Sequence, residues 1–257
     1  MADIEIQNLC YKIDERSSIK DVSFFVPGGG LFTMCGPSGA GKTTILRLIT
    51  GELAPDSGDI LIGGRSVKSE PMQKRGAILV AQDNQLFPHM TIYENVAFGL
   101  RARKMPDKDI REKITDIAQL FHMTDHLQHY PAELSGGQKK LAAIMRSIAV
   151  EPEVLLLDEP FSGLDNNLHH EIRGFLLELQ KDRNLTVITI SHSKEDAFFM
   201  GQRIGFLFDG SLRLVSDVSG LCTPTGDEVI DSFLGKIMKI SDDRFVFEDK
   251  ILTTGKQ

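Results

Sequence analysis

At 257 residues, with 41% hydrophobic and 25% charged side chains, the chain has the size and balance of one large α/β domain, or of one domain with a lobe and a tail. Its formal charge of −7 speaks against a protein that coats nucleic acid. Its three scattered cysteines (Cys10, Cys35, Cys222) are too few for a disulfide framework or a zinc site and suit a reducing, intracellular compartment.

The first residues, MADIEIQNLC, lack the basic-then-apolar order of a signal peptide. No apolar run approaches the ~20 residues that a membrane helix needs. Any service to a membrane is therefore expected to pass through other chains. Residues 3–9 and 19–26 alternate apolar and polar, as half-buried strands do. Pro27-Gly28-Gly29-Gly30 makes a turn, and LFTMC (31–35) is a short apolar strand that runs straight into a glycine loop. From Lys42 the sequence TTILRLITG predicts a helix with Ile45, Leu46 and Ile49 on its apolar face, closed by Gly51. Residues 59–62 and 64–68 suggest a hairpin about Gly63-Gly64, and AILVAQ (77–82) another buried strand.

From about 91 to 150 the character is helical: TIYENVAFGLRARK, DKDIREKITDIAQLFHM and GQKKLAAIMRSIAV. Strand signals return at 154–158, 185–190, 203–209 and 211–216, with one long helix near 167–182. A strand-rich core is thus interrupted by helices and then resumes, which predicts a mostly parallel, helix-covered sheet. There are no internal repeats, coiled-coil insert or low-complexity tract.

Chemistry concentrates in a few places. Gly36, Pro37, Ser38, Gly39, Ala40, Gly41, Lys42 and Thr43 fit G-x-x-x-x-G-K-[ST], between a predicted strand and a predicted helix; Thr44 follows. Glycines let backbone N–H groups face phosphates, and the helix N-terminus adds favourable partial charge. Lys42 is expected at the β- and γ-phosphates and Thr43 at Mg²⁺. Alone, this pattern leaves kinases, GTPases and motors open. LLLDE ends a buried apolar run with two acids at the carboxyl edge of the sheet. Asp158 is the expected Mg²⁺-side acid, and Glu159 is placed to polarise an attacking water. In LSGGQ, Ser135 can cap a helix while Gly136 and Gly137 expose backbone donors ahead of Gln138.

These words, in this order, resemble the ATP-binding cassette (ABC) ATPase family over about residues 3–235. The resemblance implies an α/β fold with a P-loop NTPase core, a mostly parallel sheet, an antiparallel β subdomain and an inserted helical subdomain at about 90–150. Residues 1–235 then form the ATPase domain, and 236–257 a short tail or hairpin. ATP and Mg²⁺ are the implied ligands. Gln82 matches the glutamine that senses γ-phosphate and Mg²⁺. His192, in TISHSKEDA, matches the histidine at the γ-phosphate, and Ser162-Gly163-Leu164-Asp165 the loop that touches the opposite subunit. The Ser135–Gly137 donors are implied to face nucleotide bound by a partner. A second copy of the chain is therefore expected, closing on ATP and parting after hydrolysis.

The segment DNQLFPHMTIYENVAFGL and the late stretch GLCTPTGDEVIDSFLG resemble importer ATPases of the polyamine, iron, sulfate or sugar type. They imply integral membrane permease subunits as partners, a substrate-binding protein beyond them, no nucleic acid, and a place on the cytoplasmic face of the inner membrane. Phe87, Pro88, His89 and Tyr93 are candidates for the permease groove, or equally for packing the helical lobe. Export or lipid movement by an ABC ATPase is the alternative, and a soluble member acting on nucleic acid or ribosomes a remoter one.

This chain departs from the family in places. Ile13 stands at the usual adenine-stacking position, so either Tyr11 serves by a register change or adenine packs on an aliphatic surface. Leu141 replaces an arginine, and SGLD the commoner SALD. His122, His126 and His129 have the spacing of one helical face, but as a solvated surface rather than metal ligands.

Overall fold

The computed structural model describes residues 1–257 except 165, 201, 236, 242–243, 248–249 and 254–257; at 166–167, at 222 and from 237 onward it describes the backbone only. Strands β1 (Ile4–Lys12), β2 (Ser18–Val26), β4 (Ser57–Ile62) and β5 (Arg65–Ser66) form an antiparallel sheet in the order β2-β1-β4-β5. Their alternating burial is that of a sheet with one wet face. The central sheet has the order β10-β9-β3-β8-β7-β6, from β3 (Leu31–Cys35), β6 (Ala77–Val80), β7 (Val154–Asp158), β8 (Thr186–Ser191), β9 (Arg203–Phe208) and β10 (Ser211–Ser216). Every residue of β3, β7 and β8 is buried, so these strands are continuous apolar runs, and they pair in parallel. Only β10 runs antiparallel to its neighbour.

The period-2 alternation of these strands divides the core into two. Leu31, Leu155, Leu157 and Val187 face one cluster with Val96, Ile114 and Ile144. Phe32, Met34, Leu156 and Ile188 face the other, with Ile4, Phe24 and Ile45. The rings of Phe24 and Phe32 stack at 4.8 Å and join the antiparallel sheet to the central one.

Helix α1 (Lys42–Thr50) follows β3. Helices α2 (Ile92–Ala102), α3 (Asp107–Leu120) and α4 (Gly136–Ala149) lie between β6 and β7, and α5 (Asn166–Arg183), α6 (Lys194–Met200) and α7 (Glu228–Leu234) come later. Thr91 and Glu94 form a capping box on α2, as Ser135 and Gln138 do on α4. A third, antiparallel sheet is built from β11 (Ile237–Ser241), β12 (Arg244–Phe247) and β13 (Lys250–Thr253). Among the described residues no helix is long and apolar enough to cross a membrane.

Two expectations are corrected. β6 stops at Val80, because the Asn84 N–H donates to Ala81 O (3.0 Å) and closes a turn; Gln82 belongs to that turn rather than to the strand. The three histidines do not share a helical face. α3 ends at Leu120, where Met123 N–H returns to Ala118 O, and His122 is left-handed at φ 51°.

Arg75, 4% exposed, secures the end of α1. Its guanidinium donates to Leu48 O (3.0 Å) and Ile49 O (3.3 Å) in the last turn of that helix, and to Glu70 O and Lys68 O outside it. Arg75→Met is expected to lower the unfolding free energy by about 1–3 kcal/mol in urea titration, since the buried Ile49 carbonyl loses its Arg75 donor and the Leu48 carbonyl keeps only the Gly51 N–H. Cys35 is fully buried, and burial pushes its thiol up to about 12. Iodoacetamide at pH 8 should leave Cys35 unmodified in the native protein and alkylate it after denaturation, as peptide mass mapping would show.

Candidate functional site

The site grows from the carboxyl ends of β3, β7 and β8. Gly36 follows β3 at φ 151°, and a Cβ there would lie 2.1 Å from Leu207 O. Gly41 is constrained chiefly by its own backbone, at φ 101°; a Cβ there would meet only the movable tip of Ile19, Cδ1, at 2.4 Å. Between them Pro37, Ser38 and Gly39 are exposed and Ala40 is buried; Lys42, which follows Gly41, is buried too. The Lys42 ammonium spans the loop, donating to Gly36 O and Pro37 O at 2.8 Å each. Burial lowers its pKa, and the charge of Glu159 opposes that shift. Thr43 and Thr44 open α1, half-buried.

Thr43 Oγ1 donates to Asp158 Oδ2 at 2.9 Å, joining the glycine loop to β7. Asp158 is 7% exposed; burial raises its pKa, and the Thr43 bond opposes the rise. Glu159 leaves the strand in a left-handed conformation, φ 49°, which costs a non-glycine residue about 1–2 kcal/mol. Its N–H donates to Ile190 O (3.2 Å) on β8. Its carboxylate lies between two of the expected residues: Oε2 accepts from Gln82 Nε2 at 3.2 Å, and Oε1 is 3.3 Å from His192 Nδ1. Gln82, Asp158, Glu159, His192, Lys42 and Thr43 are thus brought to one place from four separate segments of the chain.

The LSGGQ residues stand apart. Among the described residues no hydrogen bond joins Ser135–Gln138 to the loop 36–44. Ser135 Oγ accepts from Gln138 N (3.2 Å), and Gln138 Oε1 accepts from Ser135 N (2.9 Å). A Cβ on Gly136 would meet nothing within 4 Å, so its backbone faces open space; Gly137 is packed against Leu168. Of the three histidines only His126 and His129 meet, with Nδ1 atoms 3.3 Å apart, and His126 also reaches Gln138 Nε2 at 3.1 Å. His122 sits against Phe175. Asp165 lies outside the described residues.

Tyr11 lines a recess of about 330 Å³ with Lys12, Arg16, Ser17, Ile19 and Asp56, and Ile19 borders Gly41. Ile13 is not part of that lining and is 39% exposed. Phe87 packs between Phe98 and the Arg146 guanidinium, with Pro88 and His89 exposed beside it, while Tyr93 packs against the lobe core. The segment after Gln82 is pinned by two residues that sequence reasoning did not single out. Arg146 Nη1 donates to Gln85 O (2.7 Å), and the fully buried Asn95 bonds to both Phe87 N–H and Phe87 O. Lys140 was also missed. It lies on the buried stripe Gly137–Lys140–Ile144–Ile148 of α4, and a charged residue on such a stripe is the signal that could have found it.

The donor set fits a magnesium nucleotide. A lysine and a glycine loop at a helix N-terminus suit phosphates, and a hydroxyl bonded to a carboxylate suits Mg²⁺, which takes few protein oxygens alongside phosphate. Among the described residues no group of three or more His, Cys, Asp or Glu could hold a metal by itself.

A sulfate/thiosulfate import ATP-binding protein, CysA of Mycobacterium tuberculosis H37Rv, is 38% identical over 87% of this chain and 64% of its own length. A molybdate/tungstate import ATP-binding protein, WtpC of Pyrococcus abyssi, is 39% identical over 84% of this chain and 63% of its own. The chain therefore spans somewhat under two thirds of the length of these relatives. Among solved structures, cbiO1 from Clostridium perfringens, part of the ABC transporter complex cbiONQ, superposes with a TM-score of 0.78 at 28% identity, covering 85% of this chain and 89% of that one. The ATP-binding cassette MJ0796, in a dimeric post-hydrolysis state with ADP and Pi, superposes at 0.75 with 27% identity, covering 84% and 98%. The family profile described as ABC transporter matches residues 19–162, more than half of the sequence, and the chain belongs to that family.

Proposed function

We propose that this chain binds and hydrolyses ATP with Mg²⁺ as the ATP-binding subunit of an importer. The observation that carries the reading is the Glu159 carboxylate, bracketed by Gln82 at 3.2 Å and His192 at 3.3 Å beside the Thr43–Asp158 pair. Lys42 and the backbone of Gly36–Gly41, with Pro37, Ser38 and Ala40, would hold the phosphates, helped by Thr44. Thr43, Asp158 and Gln82 would hold Mg²⁺. When bound, the ion neutralises charge that develops on the phosphoryl oxygens.

Glu159 orients the attacking water and accepts its proton, while Gln82 and His192 fix the direction of its carboxylate. Adenine is assigned to the recess at Tyr11 rather than to exposed Ile13. The open backbone of Gly136, with Ser135, Gly137 and Gln138, is assigned to nucleotide on a second copy of the chain, with Asp165 in the loop between copies. Residues 1–235 form the ATPase unit with its helical part at about 90–150, followed at 236–257 by a short tail or hairpin. The names of the relatives, import ATP-binding proteins, support import. On this reading permease subunits dock near Phe87, Pro88, His89 and Tyr93 at the cytoplasmic face of the membrane, with a substrate-binding protein beyond them.

Glu159→Gln should keep ATP binding, lower kcat about 10²- to 10⁴-fold and turn the ATP-bound protein into a stable dimer on size-exclusion chromatography. A variant that stays monomeric with ATP and hydrolyses it at the parental rate would overturn this reading.

A further inference from the structure

Lys140 is an ammonium inside the protein, 4% exposed, one turn along α4 from Gly136. Among the described residues no carboxylate lies within ion-pairing distance of it. Its contacts are instead Glu159 O at 3.0 Å, Ser162 O at 3.2 Å and Ser162 Oγ at 3.3 Å. Three N–H donors thus meet three oxygens, so the buried charge is satisfied by dipoles. The acids beyond them help: burial lowers the lysine pKa, and the charges of Glu159 and Asp158 oppose that shift.

The oxygen that Lys140 holds belongs to the strained peptide of the site. Glu159 is left-handed at φ 49°, and its carbonyl also accepts from Ser162 N–H (3.2 Å) and Ser162 Oγ (3.1 Å). On the other side its N–H is fastened to Ile190 O of β8. A conformation of this cost persists only where its surroundings over-determine it. Lys140 is the part of those surroundings that comes from the helix carrying LSGGQ.

We propose that Lys140 is a positioning residue. It holds Glu159 in its left-handed conformation and makes the LSGGQ helix, Glu159 and Ser162 one mechanical unit within the chain. This inference rests on the ATPase reading above. On that reading, α4 presents Gly136 to the nucleotide of the partner copy, so contact at its N-terminus is delivered through Lys140 to the glutamate of the same chain. Two sites in a closed pair would then be linked through each chain's own α4.

The test compares the full chain with Lys140→Met, which keeps length and removes the donors, and Lys140→Gln, which keeps an N–H donor. Lys140→Met should fold with a Tm equal to or above that of the parent, because an apolar side chain replaces a buried ammonium. Its kcat for ATP should fall about 10- to 100-fold with KM within about twofold, and Lys140→Gln should recover part of that loss. Independently of activity, hydrogen–deuterium exchange of the peptide covering 159–163 should be faster in Lys140→Met than in the parent.

Parental kcat and parental exchange in Lys140→Met would overturn the proposal, as would a loss of kcat matched by an equal rise in KM or by a collapse in Tm. If the parent itself does not hydrolyse ATP, the ATPase reading fails. The exchange measurement then decides the tether alone: faster exchange supports it and unchanged exchange overturns it.

Discussion

Parallel pairing of β3, β8 and β7 is the constraint on which the site depends. In register, Cys35 lies level with Ser191, and Asp158 with Ile190. The three strands therefore end at one edge, and the next residues of each (Gly36, Glu159, His192) leave the sheet together. β6, paired with β7 up to Val80 and Leu157, brings the turn holding Gln82 to the same edge. A slip of one residue in any strand would exchange the two faces of the sheet and send a core side chain into the site. Full burial of these strands on both faces makes such a slip costly, so the register is set by the core rather than by the functional residues.

Charge at this edge is balanced by closeness rather than by solvent. Lys42 and Lys140 are both buried ammoniums with lowered pKa, and the acid that most opposes the shift in each is Glu159. Among the described residues neither donates a hydrogen bond to a carboxylate. Lys42 donates to carbonyls of its own loop, and Lys140 to Glu159 O and Ser162. The carboxylates are thereby left to Thr43, Gln82 and His192, the residues that the proposed chemistry requires.

Much of this was legible along the chain. The burial of LFTMC and VLLLD, the turn at Gly63-Gly64, the Gly51 stop of α1 and the helical stretch between β6 and β7 all follow from local pattern, because apolar runs, glycines and 3.6-residue periodicity act over a few residues. The short α6 and α7 were not singled out, since seven residues give too little periodicity to read. The histidines at 122, 126 and 129 misled for the opposite reason: their spacing is helical, but the chain turns at His122, and spacing carries no information about where a helix ends. Arg75, Asn95 and Arg146 escaped because their partners are backbone carbonyls or segments distant in sequence.

The sequence by itself determined the chemistry: a lysine after a glycine loop, paired acids after a buried strand, and a capped glycine pair. Each depends on residue type and on neighbours a few positions away. Only the tertiary structure decided that Gln82 and His192 bracket Glu159, that Tyr11 rather than Ile13 lines the recess beside the glycine loop, and that a lysine of the LSGGQ helix holds the glutamate's carbonyl. These are contacts between segments up to 77 residues apart, as from Gln82 to Glu159. They exist because the parallel sheet and the helices packed on it set distances that no local pattern encodes.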